Sequence, residues 1–378
     1  MIYLDNNATT CTDPDVVAAM HPYLSDLYTN PSSPYGPSRG VARVIWESRG
    51  EVAELLGAEP GQIVFAGGGS EANNAAIFAA IRSRPERKRI VISPVEHASV
   101  LMPAAYWKQE GYDVVQLPID PDGRLDMKSC LREINERTAL VSVMLANNET
   151  GILNDLTDLS DAAHDSGALL HTDAVQAIGK IPVDAASLQV DFLSLSAHKF
   201  HGPKGIGALY IRSGETPHPI IMGGEQERGH RAGTENVPGI IGLGRACSVA
   251  RVALPTLNGP IRDLRDEFER DVQHRIEDVE VIGASRPRLP NTSSILFRNA
   301  EAEALIALLD MDGICCSSGS ACAAGSPEPS HVLRAMNFPD LHSKSVLRFS
   351  LSRFTERAEL EKLLEVLPGH VERIRGAR

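Results

Sequence analysis

Apolar and polar positions follow two alternating periods through most of the chain. Short β-branched runs recur from about residue 60: QIVFA (62–66), RIVIS (89–93), DVVQL (113–117), ALVSVMLA (139–146), ALLHT (168–172) and FLSLSA (192–197). Between them, helical spacing of apolar residues covers 71–83, 99–109, 127–134 behind an Asp126 cap, and 155–165 ending at Gly167. Strand alternating with helix predicts a largely parallel sheet. IGALYIR (206–212) follows its predecessor through HGPKG, too short for a crossover helix, and so predicts an antiparallel addition. After Pro255 the pattern changes to an amphipathic helix over 261–276, short strands at 279–282 and 293–297, a helix over 302–309, a strand at 346–352 and a closing helix over 357–374. In VLRFSLS (346–352), Leu347, Phe349 and Leu351 alternate with Arg348, Ser350 and Ser352, the pattern of a half-buried strand. The expectation is α/β: a large domain over 14–256 with a mostly parallel seven-stranded sheet, and a smaller α+β domain over 257–378 joined by residues 1–13.

Composition narrows the function. The 378 residues carry 37 Lys plus Arg against 49 Asp plus Glu, a formal charge of −12 without clustering of either sign. Phosphate-backbone binding needs clustered basic residues, so direct nucleic-acid binding is not expected. The start, MIYLDNNATTCTDP, has no basic and apolar leader pattern. No membrane span is expected, because the apolar stretch 237–254 is interrupted by Arg245 and Arg251. The six cysteines form no CxxC pair and no Cys/His metal spacing, so no metal centre is expected and reduced thiols in the cytoplasm are the default.

In an open α/β sheet, ligands sit beyond the carboxyl ends of the strands. After QIVFA comes Gly67-Gly68-Gly69-Ser70 opening a helix; after RIVIS comes His97; after ALVSVMLA come Asn147 and Asn148; after ALLHT come Asp173 and Gln176; after FLSLSA come His198 and Lys199. Each alone has an ordinary reading: a turn, a scaffold histidine, a helix cap, a loop lysine. Together they form the kit that pyridoxal phosphate requires, namely a lysine for the Schiff base, a carboxylate to keep the pyridine nitrogen protonated, and an anion site for the phosphate. Asp173 suits the pyridinium and Gln176, one helical turn on, the phenolic oxygen. Ser70, Ser196 and His198 suit the phosphate beside the Gly-rich turn. Lys199 follows a run that reads as buried, which favours it over Lys204 in GPKG.

The segments YLDNNATT, GGGSEANN, VEHASV, NNETG, HTDAVQAIGK, LSAHKFHGPKGIGALY, GGEQERGHRAGTENVPGI and SSGSACAAGSPEPSHVLRAM resemble, in order, the motifs of cysteine desulfurases. These are PLP-dependent transferases of fold type I, similar to class V aminotransferases, and the likeness is to the branch serving nitrogen fixation and iron–sulfur-cluster assembly. The resemblance spans nearly the whole chain. It implies that Lys199 forms the Schiff base and carries protons, and that His97 stacks on the ring and assists acid–base steps. Thr234 of a second subunit would join Gly69, Ser70, Ser196 and His198 at the phosphate, which makes the protein a homodimer. Asn148 would meet the substrate or the ring oxygen, and Arg348 would grip the α-carboxylate of L-cysteine through paired hydrogen bonds. Arg353, just past that strand, reads as a surface ion pair.

The resemblance makes Cys322 the nucleophile that takes sulfur from L-cysteine as a persulfide, leaving L-alanine. Its surroundings, SSGSACAAGSPEPS (317–330), are too poor in apolar residues to bury much surface, so a mobile loop is expected. The sulfur would pass to an acceptor protein, an iron–sulfur scaffold or a component of tRNA or DNA thiolation. The same residues leave open a selenocysteine lyase or another class V lyase, and, in a different class, a catalytically quiet partner of a sulfur-transfer complex. Tyr35, Ser38 and Glu225 depart from the family pattern, and Ser70 stands where threonine is frequent. Cys315 and Cys316 read as packing residues at a strand end.

Overall fold

A computed structural model describes residues 1–215, 218–319 and 329–377. The strands are β1 (Ile2–Tyr3), β2 (Ile63–Ala66), β3 (Arg89–Ile92), β4 (Asp113–Gln116), β5 (Thr138–Ser142), β6 (Leu169–Asp173), β7 (Phe192–Ser196), β8 (Gly207–Ile211), β9 (Val279–Val281), β10 (Thr292–Phe297), β11 (Ile314–Cys315) and β12 (Val346–Ser350). Seven of them form one sheet in the order β2-β8-β7-β6-β5-β3-β4. β8 runs antiparallel to both of its neighbours, and the β7-β6-β5-β3-β4 pairings are parallel. β2 therefore points the same way as β7, and the carboxyl ends of β2, β3, β5, β6 and β7 open on one edge. β5, β6, β7 and β8 are buried along their whole length, as a sheet covered on both faces demands.

A three-stranded antiparallel sheet, β12-β10-β9, packs in a second apolar core with the helices Arg262–Arg275, Ala302–Met311 and Arg357–Gly376. The N-terminal strand pairs there as well: β1 lies parallel to β11, and Asp5 bridges Ser350. The alternation in β12 is real, but all five of its residues are buried. Its polar face is covered by the N-terminal segment, where Ser350 donates its amide to Leu4 and Asn7 donates its amide to the Ser350 hydroxyl. The expected half-buried strand is thus a fully buried one.

Two features depart from the sequence pattern. Pro255 ends nothing: the helix Val237–Thr256 continues through a π turn at Leu257–Ile261 into Arg262–Arg275. By length and composition this continuous helix could cross a membrane, with mean hydropathy 1.4 in its most apolar window. In the fold it is a core helix laid against Gly36–Leu55. Gly244 serves that contact, since a Cβ on it would lie 2.7 Å from the Ser48 backbone.

Helix Gly36–Leu55 also buries a charge. Arg49 forms a fork with Glu227, both N···O distances being 2.7 Å, with side-chain exposures of 7% and 4%. Glu227 accepts the Phe65 amide at 2.9 Å, and the guanidinium stacks 4.5 Å from the Phe65 ring. Glu227 and Arg228 hold left-handed backbone, φ 48° and 59°, which this network fixes in place. Arg49→Met should cost about 3–5 kcal/mol by leaving a buried carboxylate unpaired, while adding Glu227→Leu should recover most of it. Urea midpoints of the wild type, both single variants and the double variant measure this.

Candidate active site

The strand ends converge on a cavity of about 210 Å³. Gly69, Ser70, His97, Asn148, Asp173, Gln176, Ser196, His198, Lys199 and Arg348 all line it, joined by Asn7, Ala8, Asn73, Ser99, Met144 and Val175. Thr234 is exposed and does not line it. Cys322 lies outside the described residues.

One end of the cavity suits an anion. Helix Gly69–Ser83 has Gly68 at its cap with no side chain bonded to its first amides, so those N–H groups and the helix dipole face the cavity. Ser196 and Ser70 add hydroxyls there. Val175 packs so closely that a Cβ on Gly69 would sit 2.7 Å from its Cγ2, which leaves glycine as the residue that fits. His198 receives or gives a hydrogen bond at Thr9 Oγ1, 3.1 Å away, and burial pushes its pKa down to about 4, with Lys199 and Lys204 acting in the same direction. It is neutral at pH 7.

The opposite wall carries a carboxylate. Asp173, at the end of β6, accepts Asn73 Nδ2 at 2.7 Å and the Val175 amide at 2.9 Å. Asn73 gives its other N–H to Ser99 Oγ at 2.8 Å, and Ser99 Oγ lies 2.7 Å from His97 Nδ1. With both Asn73 hydrogens spent as donors, the Ser99 hydroxyl accepts one and gives its own proton to His97 Nδ1. That nitrogen also accepts the Ser99 amide at 3.1 Å, so the ring proton resides on Nε2. Burial holds His97 below its ordinary pKa against the pull of Asp173, which keeps the imidazole neutral.

Between these ends, Lys199 sits in the short 3₁₀ turn after β7 and donates Nζ to the carbonyls of Asn7 and Ala8 at 2.6 and 2.8 Å. Lys204 is exposed and elsewhere. Gln176 lies in a run of turns rather than a regular helix; its Nε2 donates to Asn7 O at 3.0 Å. From β12, Arg348 enters 1% exposed, with Nη1 on Asn148 O at 2.8 Å and Nη2 on Asp5 Oδ1 at 2.7 Å. Its buried Nε has no acceptor among the described residues, which suits a visiting carboxylate. Arg353 is corrected from a surface pair: it bonds Asp13 with each side chain 11% exposed.

Asn7 and Ala8 escaped the sequence reading of the site, although YLDNNATT was singled out as a motif. Nothing local links them to Lys199, because the contact is made by β1 and its continuation crossing to β11 and β12. The donor set fits pyridoxal phosphate: an uncapped helix end with hydroxyls, a carboxylate held by two donors, an amine between them, and an orphaned arginine nitrogen.

Comparison with known proteins agrees. The aminotransferase class-V family matches residues 2–363. A cysteine desulfurase of Cereibacter sphaeroides is 50% identical over 99% of this chain and 96% of its own. Among solved structures, a NifS-like protein superposes with TM-score 0.89 at 33% identity, covering 100% of this chain and 98% of that one. SspA in complex with cysteine follows with TM-score 0.82 at 31% identity, covering 94% and 100%.

Proposed function

Since this chain belongs to the aminotransferase class-V family and is a pyridoxal-phosphate-dependent cysteine desulfurase, we propose that Cys322 carries the sulfur of L-cysteine as a persulfide to an acceptor protein. We further propose that it works as a homodimer in which Thr234 of one subunit completes the phosphate site of the other. The observation that supports this reading best is the gathering of Lys199, Asp173, His97 and Arg348 around one cavity.

When bound, the cofactor supplies a sink for the electrons of the bonds broken at the substrate. The chain's own residues do the rest. The helix end at Gly69, with Ser70, Ser196 and His198, would hold the phosphate, and Asp173 would keep the ring nitrogen protonated. Lys199 would anchor the cofactor and move protons at the substrate carbons. Arg348 offers Nε, while Asn148 O and Asp5 hold its other nitrogens, so the substrate carboxylate meets a guanidinium already oriented. His97, neutral and with its proton on Nε2, can donate a hydrogen bond through that N–H to a bound group.

In the sulfur step, the Cys322 thiolate attacks the sulfur of the substrate. The carbon–sulfur bond breaks with its electron pair left on carbon, a proton completes the methyl group of alanine, and the sulfur remains as a persulfide. Incubation with L-cysteine without added thiol should add the mass of one sulfur atom to the peptide containing Cys322, and a reducing thiol should remove it. Appearance of that mass on Cys11, Cys315 or Cys316 instead would sink the assignment.

A further inference from the structure

Lys180 is a lysine that the mechanism above does not use. It is 4% exposed, and its Nζ donates to Gln176 Oε1 at 2.6 Å and to Asn7 Oδ1 at 2.9 Å. The charged groups that act on it are Lys199 and Arg348, both cations, and with burial they hold its pKa well below the ordinary value. A buried amine without a carboxylate partner costs free energy that an apolar side chain of similar length would avoid. Its contacts point to a role outside the stability of the fold.

The two acceptors suggest that role. Gln176 lines the cavity, and with its oxygen engaged by Lys180 its Nε2 is directed at the Asn7 main-chain carbonyl, 3.0 Å away. That same carbonyl receives Lys199 Nζ. Asn7 is held on its other sides by Thr292 Oγ1 at 2.9 Å and Asn291 Nδ2 at 3.2 Å. The Lys180 carbonyl in turn accepts Asn258 Nδ2 at 3.0 Å, which ties the lysine to the π turn. We propose that Lys180 is a positioning residue for pyridoxal phosphate: its amine fixes the Gln176 and Asn7 amides in one orientation and so sets the places of the Gln176 N–H and of Lys199 beside the cofactor. An anionic guest is also drawn to the wall that carries Lys199 and Arg348, so positioning and binding favour each other.

Lys180→Met in the full-length chain tests this. The cofactor-free variant should melt close to the cofactor-free wild type, because relief of the buried amine offsets the loss of the donor to Gln176 Oε1. Titration with pyridoxal phosphate should show affinity weaker by about tenfold or more, as expected for losing donors that orient a ligand group. The absorption maximum of the bound cofactor should shift, since the Gln176 N–H no longer has a fixed place. Unchanged affinity and spectrum would overturn the proposal. So would a cofactor-free variant that melts well below the wild type, because Lys180 would then be a brace of the fold. The test is independent of Cys322, whose assignment concerns sulfur transfer alone.

Discussion

Lys199→Ala should purify without the yellow colour of bound cofactor and turn over L-cysteine more slowly by at least about a thousandfold, the usual scale for losing a covalent anchor that also moves protons. Among the described residues Lys199 is the lysine that lines the cavity, with its amine between the strand-end donors and the N-terminal carbonyls. Lys180 is close by but buried behind Gln176 and Asn7. Borohydride treatment of the wild type followed by peptide mapping should therefore fix the cofactor on Lys199 and leave Lys180 unlabelled. A label on Lys180 would reverse the two roles.

The second large effect separates cofactor binding from sulfur transfer. Cys322→Ala should bind pyridoxal phosphate with the wild-type affinity and spectrum, because the groups assigned above to the phosphate, the ring nitrogen and the Schiff base belong to other residues. Sulfide release from L-cysteine with a reducing thiol should fall by more than about a hundredfold, since no cysteine among the described residues lines the cavity. Three of the remaining cysteines support that division. Cys247 is wholly buried, Cys130 is pushed up to about 11 by burial, and Cys316 to about 12. Thiols held so far above neutral carry little thiolate. A Cys322→Ala variant with undiminished sulfide release would show that another group does the attack.

Much of this was legible in the chain. The strands of the large sheet were readable because β-branched runs between helical periods have one good solution, a parallel sheet covered on both faces. Their polar successors were readable as a site because strand direction sends them all to one edge. Helices Pro14–Met20 and Gly36–Leu55 were not. The second buries Ser38, Ser48 and Arg49 along with Val41, Ile45 and Val52, so its inward stripe is interrupted by polar residues whose reason lies in distant partners such as Glu227. The helix after Asn236 hid its length behind glycines that read as punctuation but serve close packing, and behind Pro255 and Pro260, which the π turn absorbs. In the site, Asp5, Asn7 and Lys180 were missed for one common reason. Each makes a bond to a residue far away in sequence, Asp5 to Arg348, Asn7 to Thr292 and Lys180 to Asn7, and no local period records such a pairing.

The crossing of the first residues to the last strands also bears on how the protein comes to be made. Asn7 and Ala8 supply the carbonyls under the Lys199 amine, yet Asn7 is held by Thr292 and Ser350, which leave the ribosome 285 and 343 residues after it. The large sheet can form while synthesis continues, but its lysine stays without that support until β10 and β12 have been made. Loading with the vitamin B6 cofactor is thereby deferred until β12 has been made, and fragments stopped short of β12 lack the Arg348 wall of the pocket.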